Sequence, residues 1–370
     1  MTEAAAIAPP APLDEGAARR FRAEGILVLR GLLDPGAELR RLRESYVSLV
    51  DSLGRTLLRE VDSPLVEGFD ARPFPERFAV ALGASGGALL DHLDPVLRVG
   101  ARDYRHRAEL PSAQIPELFE LARAPRLLDA LQCLLGPELE ASPIYHLTFK
   151  LGRRHLELAR AAAEASRQPF VRPGSFDTFH VLQTGWHMDA AYGLPDAHAS
   201  SIAIAWMPLT GSREANGCLR AIPGSHLHGV RAAPFDPEEL ARGVSLEVGP
   251  GDVILLDHKT LHASSPNRTD DDFRWAFSFR YAPIGQPTGR PYLPGFVARS
   301  GADPAAELRS AEVWSAMWRA ALGHATRHRR SIPRAGKTTP QEAEAITRRW
   351  RERTPDPQAW LALDPLAARA

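Results

Sequence analysis

The sequence has only two cysteines, Cys133 and Cys218, among its 370 residues. Two cysteines are too few for a disulfide framework or a cysteine-only zinc site, so a reducing compartment is expected. No apolar run approaches the roughly 18 residues that a membrane span requires. The amino terminus lacks the basic and apolar regions of a signal peptide. We therefore expect a cytoplasmic protein that has no membrane partner.

The chain also lacks net charge, because Lys plus Arg and Asp plus Glu each number 45. Nucleic acids and anionic membranes attract proteins that carry a positive field, so no nucleic-acid partner is expected. Only three of the basic residues are lysine, and the arginines that remain suit carboxylate and phosphate recognition. The expected partner is a small-molecule substrate, and the expected assembly is a monomer or a homodimer.

A length of 370 residues suits one large domain with insertions, so a single domain over 1–370 is expected. Short β-rich runs in its middle part are separated by Gly, Pro, Asn and Asp, which favours an all-β sandwich or barrel over βαβ units. The expected fold class is therefore mainly β. The expected parts are a disordered tail (1–12), a layer of helices and one strand (13–140) with an insertion (58–110), the β core (141–285) and a helical extension (286–370).

A candidate metal site is formed by His187, Asp189 and His262. Residues i and i+2 of a strand point to the same face, so His187 and Asp189 can reach one ion together. A second histidine from another strand would complete the set of two imidazoles and one carboxylate that non-haem Fe(II) oxygenases use. The His-x-Asp pair alone is weak evidence, because such pairs occur by chance in many chains.

A candidate anion-binding arginine follows in the alternating run FRWAFSFRY at 273–281. An arginine buried among apolar neighbours needs an anionic partner. The planar guanidinium of Arg274 would suit the distal carboxylate of a dicarboxylic acid. Arg280 has the same strand parity and competes for this role.

Taken together, four ordered blocks resemble the phytanoyl-CoA dioxygenase (PhyH) superfamily of Fe(II)- and 2-oxoglutarate-dependent oxygenases. The blocks are WHMDAAY at 186–192, AIAWMPLTGSREANGCLRAIPGSHLHG at 203–229, VGPGDVILLDHKTLHASSPNRT at 248–269 and FRWAFSFRY at 273–281. Their order is similar to the family's metal HxD, its NGCL and PGSH segment, its distal GD, H and N block, and its co-substrate arginine. The opening LDEGAARRFRAEGILVLRGLL also resembles the family's first helix and strand.

The resemblance implies a double-stranded β-helix, a jelly-roll and cupin-like core with flanking N- and C-terminal helices. It implies that His187, Asp189 and His262 are the catalytic iron ligands. Five further side chains are expected around the 2-oxoglutarate co-substrate: Arg274 on its C5 carboxylate, Ser264 as a helper, Trp206 packed nearby, His146 on the preceding strand and Gln183 with the strand parity of His187.

The implied cofactors are Fe(II), 2-oxoglutarate and O2, and the implied reaction oxidises an unactivated C–H bond with succinate and CO2 as co-products. Hydroxylation is expected, because halogenases of this superfamily have a small residue where this chain has Asp189. Desaturation, cyclisation and epimerisation stay open.

The substrate is expected to be a secondary-metabolite intermediate. The arginine-rich extension would suit an anionic or carrier-linked one. Two alternatives remain, a cupin-like metal enzyme and a non-catalytic binding protein on the same barrel, neither of which uses 2-oxoglutarate.

Overall fold

The computed structural model describes residues 13–94, 111–170, 182–327, 338–351, 353 and 355–363. The tail expected at 1–12 and part of the insertion expected at 58–110 lie outside the described residues. The strands are β1 (Ile26–Leu29), β2 (Glu138–Leu151), β3 (Thr184–His187), β4 (Ala203–Pro208), β5 (Leu219–Ala221), β6 (Val244–Leu246), β7 (Val253–Asp257), β8 (His262–Ser264), β9 (Phe273–Pro283) and β10 (Phe296–Ser300).

The helices begin and end largely at capping residues and prolines. Asp14 caps the first helix through its side chain, and Pro116 and Pro125 each begin a helix, where a missing N–H has no cost. The helices are α1 (Glu15–Glu24), α2 (Arg40–Glu60), α3 (Phe74–Ala84), α4 (Ala88–Leu93), α5 (Pro116–Ala122), α6 (Pro125–Leu135), α7 (Arg153–Ala165), α8 (Pro237–Ala241), α9 (Ala311–Arg327), α10 (Pro340–Arg351) and α11 (Pro357–Leu361).

The strands form two antiparallel sheets that pack face to face. The larger sheet has the order β1-β7-β4-β9-β2-β10, and the smaller sheet has the order β3-β8-β5-β6. One apolar cluster joins Ile204, Trp206 and Ile254 of the larger sheet to Leu219 and Leu246 of the smaller one. The inner faces of the two sheets therefore enclose a common interior.

The outer face of the larger sheet carries a layer of helices. Strand β9 shows this division, because Phe273, Trp275 and Phe277 belong to the core cluster that includes the helices. The prediction of a mainly β protein was wrong, since 47% of the structure is helical. The prediction considered the spacing of the strands, and that spacing does not show how many helices are needed to cover the outer face of a sheet.

Helices α3 and α7 approach each other closely at Gly83. A Cβ atom on Gly83 would lie 1.9 Å from the carbonyl oxygen of Ala159, so only glycine permits this separation. Helix α3 is buried along its last two turns, from Phe78 to Ala84. It therefore forms part of the core between the sheet and the outer helices.

None of the helices in the described ranges is long and apolar enough to cross a membrane. The assignment of the whole chain to one domain stays a prediction.

Candidate metal centre and anion pocket

The metal-ligand set predicted from the sequence comes together at one end of the smaller sheet. His187 ends β3, His262 begins β8, and the two are direct partners in the antiparallel pairing. Asp189 follows β3 as the first residue of a short 3-10 turn, Asp189–Tyr192. One potential ligand atom from each of the three side chains lies within 4.8 Å of the others. This spacing suits a single metal ion.

Both imidazoles turn the same nitrogen toward this centre. The Nε2 atoms of His187 and His262 lie 3.3 Å and 3.7 Å from Oδ1 of Asp189. Their Nδ1 atoms lie 2.9 Å from the carbonyl oxygens of Gly185 and Thr260. A Nδ1–H that donates to a backbone carbonyl leaves Nε2 unprotonated and orients it for a metal ion.

The second carboxylate oxygen of Asp189 is bound by Arg280 of β9. Nε of Arg280 donates to Oδ2 over 2.9 Å, and Nη2 donates to the same oxygen. Nη1 of Arg280 donates to the hydroxyl of Ser278 over 3.2 Å. Arg280 is therefore engaged at the metal centre, which argues against its competing role on the 2-oxoglutarate carboxylate.

The charges at this centre favour the ionised carboxylate. Burial raises the pKa of Asp189, but Arg280 and the two imidazoles outweigh burial and hold that pKa well below its usual value. Burial, with a smaller contribution from His187, lowers the pKa of His262 to about 4. One carboxylate and neutral imidazoles are the protonation states that a divalent ion requires.

Arg274 lies on the inner face of β9, six residues before Arg280. It is 1% exposed, and its Nη2 donates to the hydroxyl of Thr148 over 3.4 Å. Its Nε and Nη1 atoms are buried without a hydrogen-bond partner among the described residues. A buried guanidinium with two unsatisfied nitrogen donors fits a carboxylate ligand.

Two other predicted residues lie beside this pocket. The Trp206 ring centroid is 5.3 Å from Cζ of Arg274, a cation–π separation. Ser264 is buried in β8, two residues after His262, and its hydroxyl accepts a hydrogen bond from the backbone N–H of Thr184. Their roles toward a co-substrate stay predictions.

The remaining two predicted residues are His146, which lies within β2, and Gln183, which lies outside β3. His146 pairs with Ser278 across β2 and β9, and its Nδ1 lies 2.8 Å from Oδ2 of Asp94. Gln183 is exposed and lies one residue before β3. Its inward orientation was predicted from alternation along a strand, and this alternation does not apply outside β3.

Sequence reasoning missed two polar residues close to these positions, Lys150 and Asp94. Lys150 is fully buried and pairs with Arg274 across β2 and β9. Strand parity with His146 is a signal that could have revealed Lys150. Asp94 lies far from His146 in sequence, and no pattern in the chain joined them.

The family model described as "Phytanoyl-CoA dioxygenase (PhyH)" matches residues 21–276, more than half of the chain. The chain belongs to this family. The resemblance found in the sequence is thereby confirmed. Among the described residues, the site contains the two histidines and one carboxylate that this resemblance led us to expect.

Curated relatives share part of the sequence. A "Probable phytanoyl-CoA dioxygenase" of Caenorhabditis elegans is 26% identical over 189 residues, which is 46% of this chain and 52% of that protein. The "Phytanoyl-CoA dioxygenase, peroxisomal" of Homo sapiens is 22% identical over 288 residues, covering 71% of this chain and 67% of that protein. The chain thus spans about half the length of the first of these relatives.

Solved structures also resemble the chain at low identity. The non-heme monooxygenase ThoJ in its apo form has a TM-score of 0.45 and 21% identity, with 79% of this chain and 86% of that chain covered. The non-heme alpha ketoglutarate dependent epimerase SnoN from nogalamycin biosynthesis has a TM-score of 0.41 and 21% identity, with 74% and 86% covered.

Proposed function

We propose that this chain is an Fe(II)- and 2-oxoglutarate-dependent oxygenase that oxidises an unactivated C–H bond of a small molecule. Its core would be a double-stranded β-helix formed by the two facing sheets. His187, Asp189 and His262 would hold the iron, and Arg274 would bind the C5 carboxylate of 2-oxoglutarate.

The observation that supports this proposal most strongly is that the His-Asp-His set and Arg274 lie in the same interior, between the two sheets. The His-Asp-His set provides the three donors of a facial triad and leaves further coordination positions for other ligands. Arg274 places an unsatisfied, buried cation on the same inner face of β9 as Arg280, which contacts that set. A metal site without 2-oxoglutarate would leave Arg274 without an anion.

Each residue of the pocket has a distinct task in this proposal. The backbone carbonyls of Gly185 and Thr260 keep the two imidazoles in the tautomer that binds metal. Arg280 fixes the direction of the Asp189 carboxylate, and Trp206 shields the guanidinium of Arg274 from water. When bound, iron and 2-oxoglutarate supply the oxidation by O2, with succinate and CO2 as co-products.

For the substrate, we propose an intermediate of secondary metabolism, and hydroxylation as the reaction. The intact Asp189 supports hydroxylation over halogenation, because its carboxylate occupies the position that a halide would need. The net formal charge of zero supports a small-molecule partner.

The test is anaerobic addition of Fe(II) and then 2-oxoglutarate to the metal-free protein, followed by visible absorption spectroscopy. We expect the weak charge-transfer band of an iron-bound 2-oxo acid. His187→Ala should abolish the band, and Arg274→Gln should raise the 2-oxoglutarate concentration needed to produce it. The exposed residues His228 and Arg242 provide matched controls, His228→Ala and Arg242→Gln, that should leave it unchanged.

The alternatives would give different results. A cupin-like enzyme that uses another metal would bind that metal tightly and give no band with 2-oxoglutarate. A binding protein on the same barrel would give no band and no succinate with any candidate substrate. Either result would contradict the proposal.

A further inference from the structure

Tyr192 lies beside the metal centre, at the end of the turn that Asp189 begins. The two residues are the first and last of the 3-10 turn Asp189–Tyr192, and side chains three positions apart in such a turn lie on the same side. The Tyr192 ring meets the His187 ring edge-on, with 5.8 Å between the ring centroids. Tyr192 therefore contacts one metal-ligand side chain and shares a side of the turn with another.

Tyr192 is also open to solvent. It is 49% exposed, whereas the side chains of His187 and Asp189 are 15% and 14% exposed. An exposed ring in contact with a largely buried ligand marks the side on which the metal centre opens to solvent. A substrate that enters from this side passes Tyr192.

The oxidisable side chains next to His187 in the sequence point elsewhere. Side chains alternate along an extended chain, so Trp186 and Met188 lie on the opposite face from His187. Met188 is 0% exposed and belongs to an apolar cluster against which Trp186 also packs. Four other tyrosines are buried in the core that includes the helices: Tyr46, Tyr145, Tyr281 and Tyr292.

The exposed ring becomes important when the pocket holds no substrate. A bound substrate occupies the space in front of the metal, receives the oxygen atom and keeps competing groups away. Without a substrate, the oxygen atom can be transferred only to solvent-derived species or to a side chain beside the metal. The phenol ring of Tyr192 is electron-rich, so it accepts oxygen readily.

We propose that Tyr192 is a self-modification site, at which the oxygenase reaction hydroxylates the ring next to the phenol oxygen when no substrate is bound. The inference rests on the proposed function. One atom of O2 is inserted into a ring C–H bond, and the other enters succinate. 2-Oxoglutarate loses CO2 and supplies two of the four electrons, and the C–H bond supplies the other two. The phenol becomes a catechol, and no further reductant is required.

The experiment is mass spectrometry of the full-length protein after reaction without substrate. Metal-free protein is loaded anaerobically with Fe(II) and 2-oxoglutarate and is then exposed to isotopically labelled O2. We expect succinate and one labelled oxygen atom on the ring of Tyr192, with none on the four buried tyrosines. Replacing 2-oxoglutarate by succinate should abolish the label.

Two variants locate the oxygen atom. Tyr192→Leu removes the ring, so the label should disappear from the peptide that contains this position. Tyr292→Phe is the control, because it changes a tyrosine that is 4% exposed, and it should leave the label on Tyr192 unchanged. Visible absorption of bound Co(II) shows that both variants keep the metal centre.

Fluorine NMR tests the placement of Tyr192 without any turnover. In protein grown with fluorotyrosine, paramagnetic Co(II) should broaden the Tyr192 resonance more than the resonances of the four buried tyrosines. Zn(II), which is diamagnetic, should broaden none of them. The spectrum of Tyr192→Leu assigns the resonance by its absence.

The possible outcomes are distinct. Succinate without a label on Tyr192, or with the label on another residue such as Trp206, would overturn the modification site and leave the proposed function standing. Stronger Co(II) broadening at a buried tyrosine would also overturn it. If neither succinate nor label forms, the modification site is wrong, and the charge-transfer band with 2-oxoglutarate decides the proposed function separately.

Discussion

Arg280 holds one oxygen of the Asp189 carboxylate and leaves the other to the metal centre. Its Nε donates to Oδ2 over 2.9 Å, whereas Oδ1 faces the Nε2 atoms of both histidines. Arg280 belongs to the larger sheet, whereas Asp189 lies in the turn that follows β3 of the smaller sheet. Both side chains are largely buried, with exposures of 7% and 14%. Without a metal ion, this ion pair is the principal compensation for the buried carboxylate charge.

Loss of Arg280 should therefore destabilise the metal-free protein. We expect Arg280→Met to lower the free energy of unfolding by about 3–5 kcal/mol, because it leaves the Asp189 charge buried with its main partner removed. Urea unfolding measures the loss, and added Ni(II) should recover part of it. The double variant Asp189→Asn with Arg280→Met, which removes both charges, should lose less.

An exposed pair provides the matched control for this comparison. Arg30 pairs with Asp252 over 2.7 Å, but its side chain is 63% exposed. Arg30→Met should therefore cost no more than about 1 kcal/mol. A metal-free Arg280→Met protein as stable as the wild type would show that Asp189 does not depend on this pair.

Removal of His262 should prevent metal binding. Its Nε2 is one of the three donors of the centre, so His262→Ala should weaken Co(II) binding by more than about 100-fold, measured by visible absorption of the bound ion. His228→Ala is the control, because His228 is exposed. Unchanged Co(II) affinity in His262→Ala would place the metal elsewhere.

Glu140 should make stability depend on pH. It lies on β2 and is 2% exposed, and its Oε1 is buried without a hydrogen-bond partner among the described residues. Burial raises its pKa to about 8, compared with about 4.3 in an unfolded chain. Between these two pH values Glu140 is protonated in the folded state and ionised in the unfolded state. The contribution of the protonated Glu140 to stability is therefore lost as pH rises from about 4 to about 8.

The comparison of Glu140→Gln with the wild type isolates this contribution. The unfolding free energy of the variant minus that of the wild type should increase between pH 5 and pH 8 and stay constant above pH 8. The total increase should be at most about 5 kcal/mol. Glu44→Gln, at an exposed position of α2, should show no such trend. A constant difference across this pH range would contradict the assignment.

Gly83 should tolerate no side chain. Gly83→Ala would place Cβ against the carbonyl oxygen of Ala159 and force α3 and α7 apart, at an expected loss of about 1–3 kcal/mol in urea unfolding. Gly249→Ala is the control, since a Cβ there meets no atom within 4 Å. Equal stabilities of the two variants would mean that the helix contact adjusts without cost.

The sequence predicted the metal centre better than the fold around it. His187, Asp189 and His262 were selected by strand parity and by family blocks, and the structure brings them together. Strand alternation correctly placed His187 and Asp189 on one side, although β3 ends at His187. The reason is that the backbone at Met188 remains extended.

Other elements gave no usable sequence signal. After its first turn, helix α3 is apolar and buried on every side, so this part lacks the amphipathic period that marks a surface helix. The contact between Arg280 and Asp189 joins residues 91 positions apart, and only the packing of the two sheets creates it. Strand parity with His146 could place Lys150 on the inner face, but the complete burial of Lys150 depends on neighbouring strands.

Strand β9 presents two chemically opposite faces, and each face depends on the same register. Phe273, Trp275 and Phe277 enter the core beneath the helices, while Arg274 and Arg280 line the interior. A shift of one residue would exchange these faces, placing guanidinium groups among aromatic rings and rings at the metal centre. A shifted register is therefore unfavourable for the core as well, and the packing that buries the aromatic residues also directs both arginines into the interior.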